Sequence, residues 1–406
     1  MKRTMKRLQK SKAIWLFAGG AMQEIAAKKI VARGYKLILT DTNRKCVCAS
    51  LSDEFIELDT FDIENNIKEA RRLSRKYDIK AVLTSGADCH ESVASVAKFL
   101  GVHGVDPKIS KICRYKLETR RLFEKAGIPG PAFREASTFK EAHKAVKEIG
   151  LPVVIKASDS SGSRGFSKIE RSDDLTEEVF SNAFDNGTTG YVIIEELMIP
   201  VENEIAEQSV ETIWYNGKMY WLNWVDRLFR EDLLLFDSFK KFSKDKDFSW
   251  GVELAHINPA VHDVAVKEEI KSMIYRAGKA IGLDKQKGGH IFKADTMITT
   301  KGPRIIEITL RLSGGWDSSL TTPNRGGDFI GGMISLALGE ELDLDLWYRC
   351  FEYRNPSLYS SVFALVKKNA RDCIGRKFSV GDNFNREISL KNAYQNVVNK
   401  RFINFK

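Results

Sequence analysis

The sequence predicts an α/β layer at its start and α+β architecture beyond it, on three observations. Strand and helix patterns alternate over residues 13–105, which implies a parallel sheet with helices on both faces. Leu151–Ser158 is an apolar strand carrying a single lysine, Lys156, and a Gly/Ser loop follows it. Gly288–Trp316 then reads as two strands joined by a turn at Thr299–Gly302.

In the first layer, the apolar run Ala13–Ala18 ends in Gly19-Gly20, and a helix follows from Met22 to Arg33. Lys36–Leu39 is a strand ending at Asp41. Phe55–Leu58 and Ala81–Ser85 are further strands, with a helix over Ile63–Tyr77 between them. Ser92–Leu100 is helical and stops at Gly101. Sheets of this kind bind ligands beyond their strand ends, which directs attention to Gly19-Gly20, Asp41 and Ser85–Asp88. The glycines lack the G-x-G-x-x-G spacing of a dinucleotide site. Cys89-His90 is read as incidental to catalysis, not as a nucleophile and its base.

The pattern from Ile109 to Ala126 is a single helix, closed by Gly127 and then Pro129 and Pro131. Thr138-x-x-Glu141 is a capping box that opens a helix ending at Gly150. A lysine in a buried strand needs an anionic partner, and Lys156 is such a lysine. The loop DSSGSRGF behind it combines Ser160, Ser161, Gly162, Ser163, Arg164 and Gly165. Small residues let backbone N–H groups close on a phosphate, and hydroxyls and a guanidinium add donors. The loop is not of the Walker type. Tyr191–Leu197 is a strand ending in Glu195-Glu196, a linker suited to a polar ligand. Asn216-Gly217 marks a type I′ hairpin between Glu204–Tyr215 and Lys218–Trp224, with Glu207, Ser209 and Glu211 on one face. Residues 225–260 read as irregular, and a helix over Val264–Ala280 leads into the last hairpin.

Side chains of a strand alternate between faces. Ile306, Ile308, Leu310 and Leu312 are therefore expected in the core, with Glu307, Thr309 and Arg311 on the opposite side. With a turn of three or five residues, Asp295 lies opposite Glu307. Two carboxylates so close need a cation between them or a shared proton, and hard oxygen ligands of this kind suit Mg²⁺. A solvated face in which Arg311 neutralises Glu307 accounts for the same residues.

The chain has 406 residues, enough for two or three domains. Its six cysteines are scattered, without zinc spacing, as expected of reduced cytoplasmic thiols. The basic, then apolar start reads as a tail leading into a strand and not as a signal peptide, and no run approaches a membrane span. The net charge of +10 gathers partly at the ends. No nucleic-acid module accompanies it, and attraction for anionic substrates accounts for it.

Taken in order, RYKLETRRLFEKAGIPGP, LPVVIKAS, the Gly/Ser loop, IIEEL, EQSVE and D…IIEITLRLSGG resemble the motifs of the ATP-grasp superfamily over roughly Ile14–Glu340. The resemblance implies a Rossmann-like domain before the grasp at 12–110. It also implies a small subdomain at 111–198, a large subdomain at 199–346 and a C-terminal extension at 347–406. By it, Lys116 and Lys156 meet the ATP phosphates and Ser160–Gly165 covers them, with Arg164 and Arg311 as the catalytic guanidiniums. Glu195, Glu196, Leu197 and Met198 meet adenine, and Glu207 takes the ribose, with Glu204 competing because the spacing is long. Asp295 and Glu307 hold Mg²⁺ or Mn²⁺, with Thr309 standing where the family has an asparagine.

The activity so implied is a ligase that phosphorylates a small-molecule carboxylate and passes it to an amine, without nucleic-acid or membrane partners, and with a homodimer as one admissible assembly. Bicarbonate- or formate-using chemistry, or a nucleotide-binding regulator with little turnover, are the alternatives.

Overall fold

The computed structural model describes residues 10–160, 165–244, 251–314, 316–366 and 373–403. They build three sheets. The first takes β1 (Ser11–Phe17), β2 (Lys36–Asp41), β3 (Glu54–Glu57) and β4 (Tyr77–Leu83) in the order β3-β2-β1-β4, all pairs parallel. Helices α1 (Glu24–Ala32), α2 (Ile63–Lys76) and α3 (His90–Leu100) connect and flank them. The central strand β1 is buried from Ala13 to Phe17, as a strand covered on both faces must be. Asp62 caps α2 by accepting from Asn65 N at 3.0 Å. β4 starts at Tyr77, earlier than expected, because Tyr77, Ile79 and Ala81 already alternate with polar residues.

Two helices replace the single one expected over Ile109–Ala126. α4 (Pro107–Arg114) ends at Tyr115, whose extended backbone (φ −93°, ψ 105°) starts α5 (Lys116–Lys125) in a new direction. The N–H of Lys116 is drawn out of the helical ladder to Ser158 O, 3.0 Å away. Periodicity carried across the break, so the sequence pattern hid it.

The second sheet runs β5-β8-β6-β7, from β5 (Phe133–Ala136), β6 (Val153–Ala157), β7 (Ser167–Ile169) and β8 (Val192–Glu196), with antiparallel pairs throughout. Helices α6 (Phe139–Ile149) and α7 (Glu177–Asp185) close its core with Ala142, Val146, Phe180 and Ala183.

The third sheet has seven strands in the order β13-β12-β9-β10-β11-β14-β15. They are β9 (Glu207–Tyr215), β10 (Lys218–Leu228), β11 (Ala255–Asn258), β12 (Gly289–Thr299), β13 (Gly302–Thr309), β14 (Tyr359–Val366) and β15 (Cys373–Asn383). Asn216 and Gly217, at φ 48° and 81°, make the tight turn that their types suggested. The stretch 225–260 is more ordered at its ends than expected: Val225–Leu228 continue β10, and Ala255–Asn258 form β11. Residues 245–250 of that stretch lie outside the described ones. The C-terminal strands β14 and β15 extend the same sheet from β11. One face of the sheet packs on the helix Val264–Ile281, through Ile270, Ile274, Trp214, Phe292 and Ile305. Gly278 sits under Trp214, where an added Cβ would fall 2.2 Å from Cζ2. Among the described residues no helix is long and apolar enough to cross a membrane.

The β12–β13 hairpin corrects the expected geometry. Thr299 pairs with Gly302, so only two residues lie in the turn. That register alone would set Asp295 opposite Ile306 and turn Glu307 into the core. A bulge at Ile306 restores the alignment, with Thr296 opposite Ile305 and Asp295 opposite Glu307. Consequently Ile305, not Ile306, enters the core, and Ile306 lines a cleft instead.

Candidate active site

The cleft lies where the three sheets meet. The break at Tyr115 aims Lys116 into it, and the bulge at Ile306 aims Glu307 and Thr309 at it from β13. Ser160 and Asp159 come from the end of β6, and Asp88 and His90 from the loop after β4 and the start of α3. Lys116 Nζ donates to Ser160 O at 2.5 Å. Burial draws its pKa down, against the opposing pull of Glu307. Among the described residues, no hydrogen bond or ion pair engages the Glu307 carboxylate, and Thr309 Oγ1 is buried without a partner.

Behind the cleft wall, Glu195 is 1% exposed and accepts from Arg120 Nε at 2.7 Å, while Lys156 Nζ lies 2.5 Å from its other oxygen. Burial would raise the Glu195 pKa, but Arg120 and Lys156 outweigh it and hold the group at about 2. Arg120 also donates to the carbonyls of Ile305 and Ile306, each at 2.8 Å, and so ties the second sheet to the bulge. Lys156 therefore has the anionic partner its burial demanded. Glu196 is bound by Lys301 Nζ at 2.6 Å and receives the Ala132 N–H. Leu197 N donates to Pro152 O, and Leu197 and Met198 stay partly exposed.

The polar face of the seven-stranded sheet carries a second, denser cluster. Arg227 Nη1 lies 3.2 Å from Glu207 and 3.3 Å from Asp295, and its Nε reaches Glu253 at 2.5 Å. Lys293 Nζ meets the other Asp295 oxygen at 2.5 Å. Burial pushes Glu207 up to about 7. His256 stands between Glu253 (2.8 Å) and Asp317 (2.9 Å), with Trp316 stacked on its ring. Burial lowers its pKa less than the two carboxylates raise it, leaving it at about 9. Glu211 accepts from Ser313 N and Asn223 Nδ2.

The structure thus brings Lys116, Ser160, Glu307 and Thr309 together, and seats Arg311 beside them on Asp88 at 2.7 Å. It separates Glu207, engaged by Arg227, from Glu204, which is exposed. Ser161, Gly162, Ser163 and Arg164 lie outside the described residues, and Gly165 adopts φ 67°. Cys89 is buried and pushed up to about 12, and burial holds His90 near 4, so the pair has neither a ready thiolate nor a cationic partner. Sequence reasoning missed Arg120, Arg227, Lys293 and His256. Lys293 was within reach, since it stands two residues before Asp295 and hence on its face.

A family model of the ATP-grasp domain matches residues 121–271. The chain carries an ATP-grasp domain. Its fold is that of ATP-grasp proteins, with a parallel Rossmann-like layer ahead of the two antiparallel sheets. An uncharacterized protein of Sinorhizobium fredii is 26% identical over 292 residues, 72% of this chain and 55% of the relative. The chain spans about half the length of the curated relatives it matches. Among solved structures, an ADP complex of an N5-carboxyaminoimidazole ribonucleotide synthetase superposes with a TM-score of 0.70 at 15% identity, covering 97% of this chain and 98% of that one. An L-amino acid ligase from Bacillus licheniformis gives 0.67 at 16% identity, covering 88% and 81%.

Proposed function

We propose that this ATP-grasp chain is an ATP- and Mg²⁺-dependent ligase that activates a carboxylate as an acyl phosphate for attack by an amine. The observation that carries the reading is the single cleft in which Lys116 faces Glu307 and Thr309, with Arg311 seated beside it on Asp88. Lys116 and the loop beginning at Ser160 take the phosphates, and Lys156 acts through Glu195 at their rear. Glu196, Leu197 and Met198 meet adenine. Glu207 is held by Arg227, which leaves Glu204 for the ribose.

The residues present fit a divalent ion in part. Glu307 offers a carboxylate that no described group engages, and Thr309 Oγ1 is a buried oxygen without a partner; these two would hold it. Bound there, the ion would neutralise phosphate oxygens. Arg311 orients the carboxylate, one of whose oxygens bonds to the γ-phosphorus as the bond to ADP breaks. The amine nitrogen then bonds to the carbonyl carbon, and phosphate leaves. The cleft lowers the barrier mostly by positioning and charge. The name of the L-amino acid ligase relative in structure supports this class of reaction.

Hydroxylamine tests the reading. With ATP, Mg²⁺ and a panel of carboxylates, it should replace the amine and yield a hydroxamate together with ADP and phosphate. Formation of AMP would mean adenylation, and a phosphorylated product stable to hydroxylamine would mean a kinase. Either result rejects the proposal.

A further inference from the structure

The two carboxylates that face each other across β12 and β13 are not equivalent. Both oxygens of Asp295 are engaged, Oδ1 by Lys293 Nζ at 2.5 Å and Oδ2 by Arg227 Nη1 at 3.3 Å. The side chains of Asp295 and Lys293 are only 4% and 8% exposed. Arg227 is fixed in turn by Glu207 and Glu253, and Glu253 by His256. Asp295 thus belongs to a closed network in which each carboxylate already has a cationic neighbour. Adding a divalent ion there would require expelling an ammonium or a guanidinium from a buried ion pair, which leaves that cation uncompensated. Glu307 has no such neighbour within bonding distance among the described residues, and it opens on the cleft with the orphaned Thr309 hydroxyl. Among the described residues, no three His, Cys, Asp or Glu side chains are grouped to hold a metal ion.

We propose that this chain operates with one divalent cation, on Glu307 and Thr309 with the nucleotide phosphates, and that Lys293 and Arg227 supply the positive charge at Asp295. This rests on the ATP-dependent reading above. Two fixed cations bring a charge equal to that of a second divalent ion, and they need no dehydration to do so. They act as positioning residues, since they hold Asp295 and the strand face beside Glu307.

The test counts ions rather than turnover. Mn²⁺ bound per chain is measured by electron paramagnetic resonance with a saturating non-hydrolysable ATP analogue, and binding of the analogue is followed separately by calorimetry. The expected count is one. Glu307→Gln should weaken Mn²⁺ binding at least tenfold, and Asp295→Asn should keep the count at one. Lys293→Met, which frees an Asp295 oxygen while keeping an apolar stem, should raise the count to two. Two ions in the unaltered protein would overturn the proposal while leaving the ATP reading intact. Loss of the single ion in a folded Asp295→Asn variant would also overturn it. If the analogue does not bind at all, the ATP reading falls and the proposal with it.

Discussion

Lys156 shows what a single residue can and cannot disclose before the fold is known. An apolar strand with one lysine requires a counter-charge, and that much follows from solvation alone. The identity of the partner does not, because Glu195 lies on β8 and reaches Lys156 only through the pairing of β6 with β8. The same holds for Arg227 and Glu207, which are neighbours only across β9 and β10. Since Arg120 also holds Glu195, Lys156→Met should leave that carboxylate paired and the protein folded. If Lys156 also supports the phosphates, the loss of a charge-assisted contact of roughly 1.5–3 kcal/mol lowers ATP affinity by one to two orders of magnitude. Calorimetric titration of ATP checks this. Unchanged affinity with a lower melting temperature would make Lys156 a purely structural partner.

Elements were legible to the extent that their period was unbroken. The parallel layer, the β6 strand with its lysine and the β9–β10 hairpin are visible in apolar spacing and turn residues. The break at Tyr115 and the bulge at Ile306 were not, because each rests on a backbone contact from a distant strand or on a register that side-chain types do not encode. Yet these two irregularities aim Lys116 and Glu307 into the cleft. Regular packing, by contrast, can be perturbed without touching the site. Gly278 lies on the helix face against the buried Trp214, which is also stacked on Tyr275. Gly278→Ala should therefore destabilise the fold by about 1–3 kcal/mol through overpacking, with ATP affinity unchanged. Urea unfolding beside ATP titration measures both. A stability equal to that of the parent would show that the ring can yield.

For the molecule as a whole, the buried charges set a window of pH. Glu195 is held near 2 against a usual 4.5, so its stabilisation is complete above 4.5 and is lost as pH falls toward 2. His256 is raised from 6.5 to about 9, so its contribution is complete below 6.5 and disappears as pH rises through 9. Glu207, raised from 4.5 to about 7, favours the protonated state and weakens the fold as pH climbs between those values. Thermal stability should decline as pH rises from about 6.5 toward 9, where His256 loses its proton. His256→Gln should flatten the alkaline decline, and a decline of unchanged steepness in that variant would remove His256 as its source.

The joint between the loop after β4 and the segment after β13 is made of bare backbone at one point. A Cβ on Gly86 would lie 2.7 Å from the Cα of Gly314, and Gly314 itself adopts φ 69°. A side chain at Gly86 would collide with backbone, and one at Gly314 would strain a left-handed conformation, so the joint offers a redesigner little graded control. Attempts to reshape the cleft would have to leave this glycine pair alone and vary Ala87 and Asp88 on one side, and Ser313 and Trp316 on the other.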